Sequence, residues 1–228
     1  RQADSGPSPV PPAVPLAADP GQAGVNFGPP GHGPRPHSQS LCGLVDKANG
    51  HVMFKEKDIM GEATEKIVNM GLIYIAENRE LFPYMTVLEN LKLGAYSKNA
   101  RSREKKNLER VFDLFPRLVE RKKQFASTMS GGEARMLAVA RGLMSNADFL
   151  CIDEPSLGLQ PSLRHEIFST IKKINQQGKT VLLVEQNIPQ IAELADRIYV
   201  MEEGRISFEG SKDEALNNEH LKEIFLGM

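Results

Sequence analysis

The sequence lacks the features that mark a secreted, membrane-spanning or nucleic-acid-binding protein. Its only cysteines, Cys42 and Cys151, lie far apart in 228 residues, which argues against a disulfide scaffold and suits a reducing compartment. No apolar run approaches the ~20 residues that cross a bilayer. No basic stretch precedes an apolar one near residue 1, so we expect no signal peptide. The formal net charge of −1 gives no general attraction to nucleic acid, and we expect no such partner.

The first 38 residues differ in composition from the rest of the chain. Residues 1–38 are rich in proline and glycine, and they start at Arg1 rather than at a methionine, as a fragment of a longer protein would. Such a segment buries too little apolar surface to offset the entropy of ordering it. We therefore expect residues 1 to about 25 to be disordered, with a proline-rich partner ligand as an alternative. Residues 39–228 have the composition of one globular domain.

Apolar runs in the second half of the chain predict an α/β fold. Residues 149–152 and 181–184 are short and wholly apolar, as in strands buried within a parallel sheet. Between them, apolar residues recur at helical spacing over 163–174, and Gly178 follows as a stop signal. A strand–helix–strand unit of this kind defines the α/β class. Further strands are predicted at 51–54, 72–75, 197–201 and 205–208, and the last two form a predicted hairpin. Further helices are predicted at 87–96, where Thr86 and Glu89 form a capping box, and at 103–115, with a helical subdomain over about residues 85–145.

Two carboxylates follow the first of these buried runs. Asp153 and Glu154 come directly after residues 149–152, at the edge where ligands bind in open α/β sheets. Asp153 is a candidate ligand for Mg²⁺, which binds a few carboxylates and keeps several waters. Glu154 is a candidate for orienting or deprotonating a water that attacks a phosphoryl group. A surface turn whose acidic residues merely follow a strand is the alternative.

A serine–glycine motif precedes a predicted helix that continues to Met144. Ser130 can cap this helix, and Gly131 and Gly132 let backbone N–H groups approach a ligand. A helix N-terminus with such accessible amides is a binding site for an anion. An ordinary capped loop is the alternative.

Taken together, these motifs resemble those of the ABC transporter ATPases over about residues 41–226. The resemblance implies a P-loop NTPase-like ABC ATPase fold that binds ATP and Mg²⁺. It also implies a dimer, with an identical or different second ABC ATPase subunit, in which the signature residues contact the ATP that the partner holds. The matching segments are the signature Ser130-Gly131-Gly132-Glu133, Ala140-Arg141-Gly142-Leu143, the Walker B residues Asp153-Glu154-Pro155 and the D-loop Ser156-Leu157-Gly158-Leu159.

Two segments resemble the ATPases of branched-chain amino acid importers in particular. Residues 75–91 resemble their Q-loop region, with Glu77 in place of the usual glutamine, although Ala76-Glu77-Asn78 departs from the common Pro-Glu-Gly. Residues 184–187 resemble their switch region, with Gln186 in place of histidine. The resemblance implies that Glu77 contacts the nucleotide and its metal ion. It implies that Gln186 assists catalysis through a hydrogen bond to a phosphate oxygen or to the attacking water.

The phosphate-binding loop of this family is incomplete in the sequence. Gly28, Gly31 and Gly33 have the required spacing, but Pro34 stands in place of the lysine and Arg35 in place of the serine or threonine. Compared with lysine, Pro34 lacks both the side-chain charge and the backbone N–H that would contact phosphate. Because such spacing arises easily in a glycine-rich segment, a degenerate P-loop and a tail without a P-loop are both open.

A local frameshift is one hypothesis for this departure. Residues 34–38 can be encoded as CCA AGA CCA CAC TCN, and omission of the first two bases yields Lys-Thr-Thr-Leu. After Gly33 this reading restores Gly-Lys-Thr-Thr-Leu, and Gly43 then lies 43 − 34 = 9 residues beyond the lysine, where the family usually has glycine. The nucleotide sequence around codon 34 tests the hypothesis, because incompatible codons would contradict it.

The resemblance implies the ATPase subunit of an importer. Such a subunit would lie on the cytoplasmic face of the inner membrane, bound to two transmembrane permease subunits and indirectly to a periplasmic amino-acid-binding protein. Phe82 and Tyr84 would face the permease, with core packing as the alternative. Pro34 and Arg35 favour another reading, a non-catalytic relic or regulatory subunit that does not bind ATP productively. A soluble ABC ATPase of repair or translation is disfavoured by the importer-like Q-loop.

Overall fold

The computed structural model describes residues 19–27, 51–185, 194–202, 205–219 and 221. Within these ranges, the chain contains eight strands and eight α-helices, as expected of an α/β protein. The strands are β1 (Ala23–Phe27), β2 (Met53–Phe54), β3 (Lys57–Asp58), β4 (Leu72–Ile75), β5 (Phe149–Asp153), β6 (Thr180–Glu185), β7 (Arg197–Glu202) and β8 (Arg205–Gly210).

Six of the strands form one sheet in the order β4-β5-β6-β1-β7-β8, and β2 and β3 form a separate antiparallel pair. The first five strands in this order are parallel, and β8 pairs with β7 in the antiparallel direction. The predicted α/β class and the predicted hairpin of β7 and β8 are confirmed.

The helices lie mainly between β4 and β5 and between β5 and β6. Helix α2 begins with the predicted capping box, in which Thr86 and Glu89 exchange hydrogen bonds. The α-helices are α1 (Thr64–Met70), α2 (Val87–Gly94), α3 (Lys98–Arg101), α4 (Glu104–Leu114), α5 (Pro116–Glu120), α6 (Gly131–Met144), α7 (Pro161–Gln176) and α8 (Lys212–Asn217), with a 3-10 turn at Ala126–Thr128.

Apolar side chains cover both faces of the sheet. In β5, Leu150 and Ile152 pack in a large core with the helices, whereas Cys151 packs in a smaller core with Leu182. Leu183 of β6 belongs to the large core, so successive side chains of these strands point to opposite faces. A strand buried on both faces requires an unbroken apolar run, which explains why the sequence predicted β5 and β6 correctly.

The beginning of the chain requires a correction. We expected disorder as far as about residue 25, but Ala23–Phe27 forms β1 in the middle of the sheet, between β6 and β7. The Ala23 N–H donates to Asp196 Oδ2 at 2.8 Å, and the Gly21 N–H donates to Thr180 Oγ1 at 2.8 Å. The expectation was wrong because it rested on the composition of the whole segment, whereas residues 21–27 contain no proline. The hydrogen-bond partners of Ala23 and Gly21 lie 173 and 159 residues away in sequence, so no local pattern indicated them.

The segment of about residues 85–145, predicted as a helical subdomain, contains helices α2 to α6. Helix α2 packs closely on α6 at Gly94, where an added Cβ would lie 2.2 Å from the carbonyl oxygen of Arg141. This backbone contact fixes the distance between the two helices, and α6 carries the signature motif at its N-terminus.

Candidate nucleotide-binding site

The predicted site residues follow strands that end at one edge of the sheet. Asp153 ends β5 and pairs with Val184 of β6, while Ile75 ends β4 and pairs with Ile152. Phe27 ends β1 beside Glu185, the last residue of β6. Because these strands are parallel, the loops that follow them start from the same edge. The first residues of those loops are Gly28, Ala76, Glu154 and Gln186.

Asp153 is a buried carboxylate held by a tyrosine. Its exposed fraction is 0%, and its Oδ2 atom accepts a hydrogen bond of 2.7 Å from the hydroxyl group of Tyr74 on β4. Burial of a carboxylate is costly unless hydrogen bonds replace water. The Tyr74 hydroxyl therefore stabilises Asp153 and fixes its orientation at the end of β5.

Glu154 has an unusual backbone conformation. Its φ angle is 44°, in the left-handed region, and its N–H donates to the carbonyl oxygen of Val184 at 2.8 Å. A non-glycine residue in this region costs about 1–3 kcal/mol and persists where its surroundings hold it. Such conformations occur at active sites, and the side chain of Glu154 is almost fully buried at this edge.

Glu185 is a third buried carboxylate at the same edge. It accepts a hydrogen bond of 3.0 Å from the backbone N–H of Ser156, the first residue of the D-loop. This contact links the end of β6 to the loop that follows Glu154. The sequence alone gave no reason to assign Glu185 a role of its own.

The signature motif starts α6 with a capping box. Glu133 Oε2 accepts hydrogen bonds from the backbone N–H and hydroxyl of Ser130 at 3.0 and 2.9 Å, and Ser130 Oγ accepts from the Glu133 N–H. Glu133 Oε1 forms an ion pair of 2.6 Å with Arg121. Burial raises the pKa of Glu133, but the Ser130 hydrogen bonds and Arg121 outweigh burial and lower the pKa overall.

The exposure of the signature motif suits a contact with another molecule. Ser130 and Gly131 are exposed, whereas Gly132 is buried against Leu163 of α7. An added Cβ at Gly132 would lie 2.5 Å from Leu163 Cδ1, so glycine allows α6 to begin close to α7. The first amides of α6 lie at the surface, where helix N-termini attract anions.

The Q-loop, defined here as residues 76–80, connects β4 to the segment before α2. Glu77 is half-buried, two residues beyond Ile75. Arg79 and Glu80 both have positive φ angles, 65° and 45°. The guanidinium of Arg79 lies beside the signature, because a Cβ at Gly131 would be 3.5 Å from its Nη2 atom.

The loop after the Q-loop exposes aromatic side chains. Phe82 is 49% exposed and Tyr84 is 88% exposed, so neither is a core residue. The buried side chain of Asn90 holds this loop: its amide donates to the carbonyl oxygens of Phe82, Met85 and Thr86, and its Oδ1 accepts from the Phe82 N–H.

Several predicted site residues lie outside the part of the chain that the structure describes. Their proposed roles remain predictions from the sequence. They are Gly28, Gly31 and Gly33, the departures Pro34 and Arg35, and Gln186.

Several residues that support the site were not predicted from the sequence. Tyr74 and Asn90 occupy positions in an apolar strand and helix where a polar group must find a partner, and that was the available signal. Arg135, only 1% exposed on α6, stands three residues after Gly132 and gave no such signal. Its burial depends on long-range packing that a local pattern does not record.

A magnesium ion would need ligands from the nucleotide. In the ranges that the structure describes, no group of three or more His, Cys, Asp or Glu side chains could hold a metal by itself. Asp153 has the carboxylate oxygens that Mg²⁺ prefers, and Mg²⁺ commonly combines one or two carboxylates with phosphate oxygens. The donor chemistry of this edge therefore fits a nucleotide-bound Mg²⁺.

This parallel sheet, with acidic residues at its carboxyl edge and an exposed helix N-terminus nearby, defines a nucleotide-binding α/β protein. The family model described as "ABC transporter" matches residues 13–157. The chain belongs to the ABC transporter ATP-binding family. The match extends further towards the N-terminus than the 41–226 range expected from the motifs, since it begins at residue 13.

Two curated relatives are similar to most of the chain. The high-affinity branched-chain amino acid transport ATP-binding protein BraG of Pseudomonas aeruginosa is 39% identical over 82% of this chain and 80% of its own length. The probable branched-chain amino acid transport ATP-binding protein LivF of Archaeoglobus fulgidus is 34% identical over 88% of this chain and 85% of its own.

Solved structures share the fold. A nucleotide-free ATP-binding cassette from an ABC transporter has a TM-score of 0.79 at 25% identity and covers 93% of this chain and 91% of its own. An ADP conformation of an ATP-binding cassette has a TM-score of 0.74 at 25% identity and covers 92% of this chain and 89% of its own. The fold is therefore that of an ABC ATPase, and structures of this fold hold nucleotide. None of the helices in the described ranges is long and apolar enough to cross a membrane.

Proposed function

We propose that the chain is the ATP-binding and ATP-hydrolysing subunit of an ABC importer that drives uptake of branched-chain amino acids. The observation that carries the proposal is the shared edge of the sheet, where Asp153 ends β5, Glu154 follows it, and β1 ends beside β6. The names of the two curated relatives supply the substrate class.

The position of β1 supports the interpretation of residues 28–35 as a degenerate P-loop. A P-loop follows a strand of the parallel sheet directly. Gly28 directly follows β1, and β1 ends beside β6 at the edge that carries Asp153 and Glu154. A glycine-rich tail without a P-loop would not be expected to follow a strand directly at the edge that carries Asp153 and Glu154.

Each residue of the site has a proposed role. Asp153 and Glu77 would bind a Mg²⁺ ion carried by the nucleotide, directly or through water. Glu154 would take the proton of the attacking water, and Gln186 would orient that water or a phosphate oxygen. Ser130, Gly131 and Gly132 would bind the ATP of a second ABC ATPase subunit, with Glu133 as the residue that caps their helix.

The exposed aromatic loop supports a peripheral location on a membrane complex. Phe82 and Tyr84 are apolar side chains at the surface, and Asn90 holds their loop in one conformation. We propose that this loop binds the transmembrane permease subunits on the cytoplasmic face of the inner membrane. A periplasmic amino-acid-binding protein would then act on the opposite side.

Transport measurements test the proposed function. In cells from which the gene for this chain is deleted, expression of the chain with a restored P-loop should recover uptake of labelled leucine, isoleucine and valine. Asp153→Asn should abolish that recovery, whereas Glu120→Gln, an exposed change on α5, should preserve it. If the Asp153→Asn variant restored uptake as fully as the chain that retains Asp153, the proposal would be contradicted.

Pro34 and Arg35 favour a second candidate, a subunit that assembles with the permease but does not bind ATP productively. The same uptake assay distinguishes the two candidates. Full uptake by the chain with Pro34 and Arg35 would rule out the subunit that does not bind ATP productively. Uptake that occurs only after the P-loop is restored would support that second candidate for this chain.

A further inference from the structure

We infer that two arginines of α6, Arg135 and Arg141, hold the Q-loop on either side of Glu77 and so set the position of that carboxylate. Both act on backbone carbonyl groups rather than on a ligand, and we assign them as positioning residues. The importance of Glu77 rests on the proposed function, but the contacts of the two arginines do not.

Arg141 holds the far end of the Q-loop. Its Nη1 atom donates to the carbonyl oxygen of Glu80 at 2.7 Å, and its Nη2 atom donates to that of Arg79 at 3.2 Å. Its guanidinium carbon lies 5.8 Å from the centroid of the Phe82 ring. Burial lowers the pKa of Arg141, and these groups replace water around its partly buried guanidinium.

Arg135 holds the near end. Its side chain is 1% exposed, and its Nη1 atom donates to the carbonyl oxygen of Ala76 at 3.4 Å. Burial is the main cause that lowers its pKa, and Arg79 lowers the pKa further. The negative charges of three carboxylates raise the pKa of Arg135 in part: Glu77, Glu185 and Asp153.

The conformation of the Q-loop explains why it needs support. Arg79 and Glu80 are consecutive non-glycine residues with positive φ angles, a conformation that side chains with a Cβ rarely adopt. Such a pair persists only where surrounding contacts hold it. The carbonyl groups that Arg141 binds belong to these same two residues. The hydrogen bonds of Arg135 and Arg141 to the Q-loop are called the clamp here. Because α6 carries the signature motif at its N-terminus, the clamp connects the surface that would face a partner to the loop that bears Glu77.

Amide hydrogen exchange on the chain without nucleotide tests the clamp directly. In Arg141→Gln, peptides that cover residues 77–82 should exchange about tenfold faster, because the hydrogen-bonded amides of Arg79 and Glu80 lose their support. Peptides from the middle of α6 and from β5 should keep their protection. Arg110→Gln is the matched control, since Arg110 lies on α4 and donates to Gln177, the residue that follows α7. That variant should leave exchange of the Q-loop unchanged.

Two further variants distinguish a clamp from general destabilisation. Arg141→Lys keeps a donor for one carbonyl group and should give an intermediate rate. Glu80→Gly, combined with Arg141→Gln, should restore part of the protection, because glycine adopts a positive φ without strain. Unchanged Q-loop exchange in Arg141→Gln, or an equal increase throughout α6 and β5, would overturn the inference. Since the measurement needs no nucleotide, absence of ATP hydrolysis would count against the proposed function alone.

Discussion

The carboxylates of the candidate site differ in how the chain supports them. Asp153 is held by the Tyr74 hydroxyl, Glu185 by the backbone N–H of Ser156, and Glu133 by Ser130 and Arg121. These contacts replace water around buried acids and fix their orientation. The backbone of Glu154 has a left-handed conformation, and its N–H donates to the carbonyl oxygen of Val184. Because Glu154 directly follows Asp153 in the Walker B motif, we expect it to be the acid that reacts.

The first residue-scale prediction concerns Glu154. In the chain with a restored P-loop, Glu154→Gln should reduce ATP turnover by ~10²–10⁴-fold, the usual contribution of a general base, while ATP binding persists. Glutamine keeps the shape and hydrogen bonds of the side chain but cannot accept the proton. Phosphate release and calorimetry measure the two properties, with Glu120→Gln as a control. Near-normal turnover of Glu154→Gln would show that another group is the base.

The second residue-scale prediction is a pH dependence at Glu133. The pKa of Glu133 is lower in the folded chain than its ordinary value, so its contribution to stability is present above the unfolded pKa of about 4.3. That contribution is lost as the pH falls through the folded pKa. Glu133→Gln should therefore lower the free energy of unfolding by about 1 kcal/mol at pH 7, because the charge-assisted cap and the ion pair weaken.

Urea titrations of the wild-type chain and Glu133→Gln at several pH values check this prediction. The difference between them should be largest near neutral pH and should shrink below about pH 4. A difference that stays constant into acid would mean that the charge of Glu133 does not contribute.

At the scale of elements, helix α6 connects most parts of the site. It carries the signature at its N-terminus, contacts α2 at Gly94 and β4 near Gly142, and supplies the arginines that bind the Q-loop. Its two close contacts differ in kind. A Cβ at Gly94 would lie 2.2 Å from the backbone oxygen of Arg141, whereas a Cβ at Gly142 would lie 2.7 Å from the terminal methyl group of Ile75.

This difference predicts unequal effects of alanine at the two glycines. Gly94→Ala forces apart two backbones and should cost ~3 kcal/mol, the upper part of the range for overpacking. Gly142→Ala displaces only a flexible methyl group, and the higher helix propensity of alanine offsets part of the strain. Denaturant midpoints measure both variants. Equal destabilisation would contradict the assignment of a rigid α2–α6 contact.

Particular elements show what local sequence could predict. β4 was predicted with the bounds that the structure has, Leu72–Ile75, and the Thr86 capping box was predicted because its residues are three apart. These signals lie within a few residues of one another. β1 could not be recognised in this way, because its hydrogen bonds come from β6 and β7, far along the chain. The contacts of Arg135, Arg141 and Tyr74 were missed for the same reason.

At the scale of the whole molecule, β1 completes the sheet. It fills the position between β6 and β7, so the N-terminal part of the chain joins two halves of the core. Strands on both sides use its backbone groups, and proline at Gly24 would remove one donor. Gly24→Pro should therefore cost ~3 kcal/mol or more.

Gly24→Ala is the matched control for this prediction. A Cβ there would lie 3.5 Å from Leu182 Cδ1, an ordinary contact, so alanine should be tolerated. Urea unfolding distinguishes the variants, and amide exchange should show protection of residues 23–27. Equal stability of Gly24→Pro and Gly24→Ala would mean that this strand does not pair in the sheet.

The P-loop decides whether the assembled site can work. Asp153, Glu154 and the end of β1 lie at the same edge of the sheet. In the sequence that follows β1, Pro34 and Arg35 replace the lysine and hydroxyl group that bind phosphate and Mg²⁺ in the family. One charge-assisted hydrogen bond contributes ~1.5–3 kcal/mol, and more than one is missing. Arg35 lies one position out of register, so we do not expect it to replace the lysine.

The most direct test is the ATP affinity of the chain as written and of the chain in which Gly-Lys-Thr-Thr-Leu is restored from Gly33, measured by calorimetry with Mg²⁺. We predict that the restored chain binds ATP and that the chain as written binds at least ~10²-fold more weakly, since 1.4 kcal/mol corresponds to a factor of ten. Micromolar binding by the chain as written would contradict our interpretation of Pro34, and failure of the restored chain to bind would contradict the nucleotide site itself.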